Sequence, residues 1–479
     1  MQPLVAGQRW SRLTPAECEL IDAAALAILE RTGIRLLDEE AVSMLRGAGA
    51  SVAEDGTTVR IPARLVEWAR SVTPSSFGMY DRLGRPAWTW GGDEVVFGPG
   101  SDCLNVIDHR TGERRRPVLA DVEAGITLVD ALDGMGFAMS MFLPSDVDQR
   151  IADRYQMAVM LERTTKPIVL VTYELDGLVD ALDMAEAVAG GPEALRERPF
   201  LACYINVTRG LLAGADAIRK LFLLVDRGVP ALWIPVTSGG TTGPVTSAGN
   251  VAVNTAGVLA GLVLAQLRRE GAPVVIPGFG GDALDLRTMV DPYAEPDHRG
   301  MAEAMAHHYG LPMFSLAAGG EAKVVDQQAA MEASLTLLVD ALARGNVIHD
   351  CGYLESGLTG SLAQLVICDE IVTWIRRLLA PVRMDDEALA LDLVDERGID
   401  GSFLEADHTL AHYRERWYPD LVERFNFDAW QSRGAQTMAE RASARAEALI
   451  AARRPVPLEE AARATIDAVI ERAAARFPA

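Results

Sequence analysis

Residues Gly345–Gly360 read GNVIHDCGYLESGLTG. The opening, Asn346-Val347-Ile348-His349-Asp350, reads as a short buried strand ending in polar groups. The second half, Gly352-Tyr353-Leu354-Glu355-Ser356-Gly357, is too rich in glycine to extend that strand and reads as a loop. A helical pattern begins at Ser361. Strand, loop and helix in that order make one βα unit. The loop receives an imidazole, a carboxylate, a thiol and a phenol, which marks it as a place for chemistry.

Working outward, the same unit recurs. Apolar extended runs stand at Glu94–Phe97, Gly136–Phe142, Pro167–Tyr173, Phe200–Asn206, Ala231–Val236, Pro273–Pro277, Pro312–Leu316 and Asn346–His349. Amphipathic helical patterns separate them, from Asp121–Leu132 through Ser247–Glu270 to Ser361–Leu379. The runs are continuous rather than alternating, as in strands covered on both faces. Eight such units in about 290 residues match a (β/α)8 TIM barrel, here spanning 94–380. The rival is an open doubly wound sheet, which would follow its first strand with a dinucleotide turn. Phe97-Gly98-Pro99-Gly100-Ser101 offers two glycines, but no acidic residue closes a second strand about twenty positions on.

Two further regions flank the barrel. Residues 1–93 read as a helical and β-rich addition. In its first helix, 14–31, Thr14 suits the N-cap, Pro15 the first turn and Glu17 the third position of a capping box. Residues 381–479 read as a helical extension that packs on the barrel or forms an oligomer contact. Helical patterns cover Arg376–Glu396, Ala429–Arg453 and Leu458–Ala475.

The formal charge of −22 argues against nucleic acid or an anionic membrane as partner. Five dispersed cysteines without a CxxC pair suggest reduced thiols and a cytoplasmic protein. The N-terminus MQPLVAGQRWSRL has no apolar core of a signal peptide. The longest apolar run, Asn254–Gln266, is short of the ~20 residues that span a bilayer and reads as a buried helix.

Barrel enzymes carry their sites at the C-terminal strand ends. Those ends are rich in rings: Phe97, Phe142, Tyr173, Tyr204, Trp233, Phe279, Phe314 and Tyr353, in a chain only 6% aromatic. Some would be ordinary core rings; together they suggest a box of π faces for an organic cation. His349 is the one strand-end histidine, with Asp350 and Glu355 placed to orient it or a cationic substrate. Gly319-Gly320 could equally cradle a phosphate, and Cys351 lacks an identifiable base. HExxH, GxSxG and P-loop motifs are absent, so no catalytic or metal-ligating residue is assigned.

Three stretches then resemble the trimethylamine methyltransferase family in its non-pyrrolysine, glycine betaine-type branch. They are GYLESGLTGS after the eighth strand, VVDQQAAMEASLTLL in the preceding helix, and FLEADHTLAHYRERWYPDLVERFNFDAW in the C-terminal extension. The resemblance implies a barrel that binds a methylated amine and passes a methyl group to Co(I) of a separate corrinoid protein docked over the strand ends. The chain itself would bind no cobalamin tightly, since Asp407-His408 continues as TLAH without the glycine of a base-off motif. The expected substrate is a quaternary amine such as glycine betaine. Its cation would sit among Phe97, Tyr173, Tyr204, Trp233, Phe279 and Tyr353, and its carboxylate against His349, the Gly319-Gly320 amides or Arg209. A homo-oligomer is expected. The alternatives are another methyl donor (a sulfonium or tertiary amine), a non-catalytic binding barrel, or a barrel enzyme for a phosphorylated substrate.

Overall fold

The computed structural model describes residues 9–477, so the first eight residues of the N-terminal reading lie outside it. The first helix, Pro15–Arg31, starts where its cap signals place it. Glu17 N–H donates to Thr14 Oγ1 at 3.3 Å, and Thr14 N–H donates back to Glu17 Oε2 at 2.8 Å. The helix buries Cys18, Ile21, Ala25 and Leu29, one stripe of a 3.6-residue period, against the long helix Ser247–Arg268. That 22-residue helix is apolar and long enough to cross a membrane, yet 83% of its most apolar window is buried inside the protein.

Seven strands form one parallel sheet: β1 Val96–Pro99, β2 Ile168–Val171, β3 Leu201–Val207, β4 Ala231–Pro235, β5 Val274–Pro277, β6 Met313–Leu316 and β7 Val347–Cys351. Their order is β1-β7-β6-β5-β4-β3-β2, so the sheet begins and ends on strands adjacent in sequence. The expected strand Gly136–Phe142 is not a regular strand. Its start pairs on both sides, and its end pairs on one, in a single parallel bridge of Phe142 with Cys103. Gly136 N–H donates to Phe97 O at 2.7 Å, Ala138 N–H to Pro167 O at 2.8 Å, and Val169 N–H to Ala138 O at 2.9 Å. Parallel bridges Phe97↔Met135 and Ala138↔Ile168 thereby join β1 to β2. Between its start and its end, Met141 takes φ +60°, which breaks the regular ladder.

Lys166 holds that junction. Its Nζ donates to the carbonyls of Val129, Leu132 and Met135 at 2.6, 2.8 and 2.7 Å. All three carbonyls end the helix Leu119–Ala131 or follow it, where a cation also complements the helix dipole. Burial pushes the ammonium down to about 8, so it remains charged at neutral pH.

Alternation along the strands sorts side chains into two layers. Val96, Val169, Ala202, Leu232, Ile234, Val275, Phe314 and Val347 fill the interior with Phe137 and Met139. Trp90, on the hairpin Ser76–Tyr80 and Pro86–Gly91, packs into the same cluster and donates its Nε1–H to Met313 O at 2.7 Å. It seals the end away from the strand C-termini. The intervening residues, including Phe97, Cys203, Ile205, Trp233 and Ile348, join the larger layer against the helices.

Residues after the sheet depart from expectation in detail. The helix Leu362–Leu379 stops before Ala380-Pro381, because proline at 381 cannot continue it; the rest of the expected helical region Arg376–Glu396 holds two short helices, Asp386–Leu389 and Leu391–Arg397. The expected helix Ala429–Arg453 is two, Phe427–Ser432 and Met438–Ala452, parted at Gly434 with φ +102°. Met438–Ala452 packs on Leu362–Leu379, and Glu460–Ala475 packs on Leu175–Ala189. Buried Asp180 accepts from Arg154, Arg472 and Arg476 at 2.9–3.2 Å, tying the last helix to the rest.

Replacing Lys166 with Met keeps the shape of the stem and leaves three carbonyls short of a charged donor. Lys166→Met should lower the unfolding free energy by about 2–3 kcal/mol. Urea unfolding followed by circular dichroism measures this; an unchanged midpoint would mean the junction holds without the ammonium.

Candidate functional site

A cavity of about 400 Å³ opens at the C-terminal ends of the strands. Four rings line it: Tyr204 from β3, Phe279 after β5, Tyr293 from the long loop that follows, and Tyr353 after β7. Four carboxylates line it too: Asp102, Asp282, Asp291 and Asp350. The basic or imidazole groups are Arg299, His298 and His349.

His349 and Asp350 are neighbours in sequence, and regular alternation would send them to opposite faces. Both reach the cavity because the pairing of β7 with β1 shifts register between Ile348 and Cys351, where Asp350 takes φ +81° and Gly352 φ +95°. Gly100 makes room for the result. A Cβ there would lie 2.2 Å from Asp350 Oδ1 and 2.3 Å from Tyr353 Cζ. Left-handed backbone at Asp102, Ala318, Asp350, Glu355 and Ser356 gathers around this rim, at a cost of order 1–3 kcal/mol per residue.

His349 stacks on Phe314, with ring centroids 4.1 Å apart. Its Nδ1 lies 2.7 Å from Ser315 O, and a carbonyl only accepts, so the proton is on Nδ1. Burial lowers its pKa to about 4, so the ring is neutral and Nε2 presents a lone pair. Asp350 Oδ1 lies 3.5 Å from that Nε2. Burial drives the Asp350 carboxyl well above its usual range, with Arg299 the one cation opposing it. Burial, then Asp291, pushes Asp282 up to about 6. Asp102 is raised by burial although Gln156 Nε2 donates to it at 2.7 Å. Burial also raises Tyr204, Tyr293 and Tyr353, so the phenols stay neutral. Tyr353 donates its hydroxyl to Ser101 O, and Arg299 donates to Leu316 O and Tyr293 O.

Of the sequence-derived residues, Tyr204, Phe279, His349 and Tyr353 line the cavity, and Gly319 lies behind Tyr293 and Tyr353. The others are elsewhere. Phe97 and Trp233 stand at the outward positions of β1 and β4. Trp233 donates Nε1–H to Gly257 O at 3.1 Å and fills the space that a Cβ on Gly261 would take. Tyr173 is 40% exposed and outside the cavity lining. Glu355 pairs with Arg114 at 2.9 Å, on a hairpin in which Tyr353-Leu354 pair with Thr359–Ser361; the expected loop is thus partly strand. Arg209 is exposed beyond the end of β3. Gly320 faces a carboxylate: a Cβ there would lie 2.1 Å from Glu332 Oε2, the wrong surrounding for a phosphate. Cys351 is buried beside Cys368, and that pairing with burial raises its thiol well above the ordinary range, away from a nucleophile's needs.

Sequence reading missed Asp291, Tyr293, His298 and Arg299, and gave no role to Asp102 or Asp282. The first four lie between the end of β5 at Pro277 and the helix starting at Met301. Typical βα loops have about 2–6 residues, so the length of this one was the available signal. Among the described residues no group of three or more His, Cys, Asp or Glu is placed to hold a metal ion.

A family model described as trimethylamine methyltransferase (MTTB) matches residues 4–478. A trimethylamine methyltransferase of Desulfitobacterium hafniense is 30% identical over 459 residues, covering 95% of this chain and 92% of that protein. A glycine betaine methyltransferase from another strain of that species is 26% identical over 468 residues, covering 96% and 97%. The crystal structure of the Methanosarcina barkeri monomethylamine methyltransferase aligns with 99% of this chain and 96% of its own, at 11% identity and a TM-score of 0.46.

Because Asp282 titrates near 6 from a raised position, it is neutral at pH 5 and ionised at pH 7.5. His349, at about 4, and His298, at about 3, stay neutral across that window. A permanent cation such as tetramethylammonium should therefore bind more tightly as pH rises from 5 to 7.5, by about 1–2 kcal/mol. Calorimetry at both pH values measures the change; a flat profile removes Asp282 from the site.

Proposed function

This chain belongs to the trimethylamine methyltransferase (MTTB) family and is a methyltransferase, and we propose that it takes a methyl group from a quaternary ammonium compound and delivers it to the Co(I) corrinoid of a separate partner protein. The observation that carries the reading is the cavity itself, with four rings and four carboxylates at the strand ends. A quaternary nitrogen has no hydrogen to donate and is held by π faces and by charge. Each ring contributes ~0.5–2 kcal/mol.

In the reaction the C–N bond breaks with its electron pair staying on nitrogen, and the two electrons of Co(I) form the new bond to the methyl carbon. The leaving group is a neutral tertiary amine, so no proton need be moved. This agrees with neutral phenols, a neutral His349 and carboxyls tuned by burial rather than paired as acid and base. What the chain supplies is orientation, which is worth ~7–11 kcal/mol in well-aligned systems. The reading takes 94–380 as a (β/α)8 barrel, with Met135–Ala138 as its eighth stave, 1–93 as an added N-terminal region and 381–479 as a helical extension.

Exposed apolar side chains stand on the segments that follow the strand C-termini: Leu104, Tyr173, Val236, Leu286, Met289 and Leu358, each 37–67% exposed. Such a set supports docking of a folded partner over the opening. A second exposed apolar stretch on the C-terminal extension, including Ile399, Leu404, Leu410 and Tyr418, supports self-association. Five free, buried thiols suit a cytoplasmic setting.

Purified protein should methylate Co(I) cobalamin with a quaternary ammonium donor, read by the cobalamin absorbance change. Phe279→Ala and Tyr204→Ala should each weaken donor binding about three- to thirtyfold, in line with ~0.5–2 kcal/mol per ring. Leu286→Asp with Met289→Asp should slow transfer to a corrinoid protein at least tenfold while leaving transfer to free cobalamin intact. Equal loss in both assays would place these residues outside the docking surface. Light scattering should give a mass above that of one chain; a monomer would end the self-association reading.

A further inference from the structure

The polar end of the cavity does not suit a carboxylate. Three of the four residues expected to receive one fail, each for its own reason. Arg209 lies outside the cavity, Gly320 faces Glu332, and His349 offers a lone pair because its one ring proton is held by Ser315 O. The only arginine in the lining, Arg299, donates to the carbonyls of Leu316 and Tyr293 and lies 3.8 Å from Asp340. Against it stand Asp102, Asp282, Asp291 and Asp350. A zwitterion would have to desolvate its carboxylate among four other carboxyl groups, with the one lining arginine already engaged.

A donor is what the site lacks. His349 Nε2 is an acceptor, and the Asp350 carboxyl 3.5 Å from it, raised by burial, ionises to a second acceptor once a cation lies beside it; both side chains are more than nine-tenths buried. Among the described residues no side chain or backbone N–H donates to the Asp350 carboxylate. It is an unpartnered polar group aimed into the cavity, beside the rings of Tyr204, Tyr293 and Tyr353.

We propose, resting on the methyl-transfer reading above, that the substrate is a net-cationic quaternary ammonium compound whose other end is a hydrogen-bond donor, in its simplest form an ammonium alcohol, and not a betaine. The ligand hydroxyl donates into the His349–Asp350 pair while the ammonium lies against the rings. Specificity then comes from the polar end. A carboxylate is repelled there, and an alkyl group leaves two buried acceptors unpaired.

The test is calorimetry on the full-length protein at pH 7.5 with choline, glycine betaine and the neutral isostere 3,3-dimethylbutan-1-ol. Choline should bind at least tenfold tighter than either of the others. Asp350→Asn, checked as folded by circular dichroism, should lose at least tenfold on choline. Glycine betaine binding as tightly as choline, or an unaltered choline affinity in Asp350→Asn, overturns the proposal and leaves the methyl-transfer reading standing. Failure of both ammonium compounds to bind, or equal binding of the neutral alcohol, overturns the two together.

Discussion

A parallel sheet that curls back on itself needs its first and last edges to find each other, and here the meeting is made by four residues, Met135 to Ala138, between β1 and β2. The segment is too irregular to hold itself by a full ladder. It is held instead by Lys166, which comes just before β2 and reaches back to three carbonyls at the end of the preceding helix. Burial lowers its pKa to about 8 against the opposing pull of Asp130, Asp369 and Asp133, so the ammonium stays charged at neutral pH. Phe137 and Met139 are thereby committed to the interior, and the wall of the cavity is completed on that side.

The interior divides into two parts along the strand axis. From the Trp90 plug up to Phe314 it is dry and hydrophobic. Above Phe314 it turns polar within one residue layer, starting with His349 stacked on that ring. The transition depends on the register break in β7, which lets two consecutive polar side chains face the same way. Positive φ at Asp350 and Asp102, and the missing side chain at Gly100, are what this geometry requires. Such strain persists because the surrounding packing overdetermines it.

A site with buried carboxyls and no paired base is unusual for an enzyme and sensible for the proposed transfer of a methyl group from a cation. In that reading, the negative charge that the cavity cannot comfortably hold alone is offset by the positive charge of the substrate. Neutral rings and a neutral imidazole shape the space.

Much of this was legible in the chain. The capping box at Thr14 and Glu17 and the run of apolar strands followed by helices emerged from local rules, because caps and burial on both faces are properties of neighbouring residues. His349, Tyr353, Tyr204 and Phe279 were reachable because strand ends can be located from the same pattern. Parity could have been read as well: with Tyr204 inward, Ala202 is inward, and Leu232 and Ile234 inward leave Trp233 facing the helices. The rest belonged to the tertiary structure alone. Register shifts set which of His349 and Asp350 face the cavity, and a shift depends on the partner strand. Tyr293 and Arg299 arrive on a loop whose path no period describes. The protonation of His349 is fixed by a carbonyl of the adjacent strand. Sequence determined which residues could stand at the strand ends; only the packed backbone decided which of them meet, and with which lone pair or proton forward.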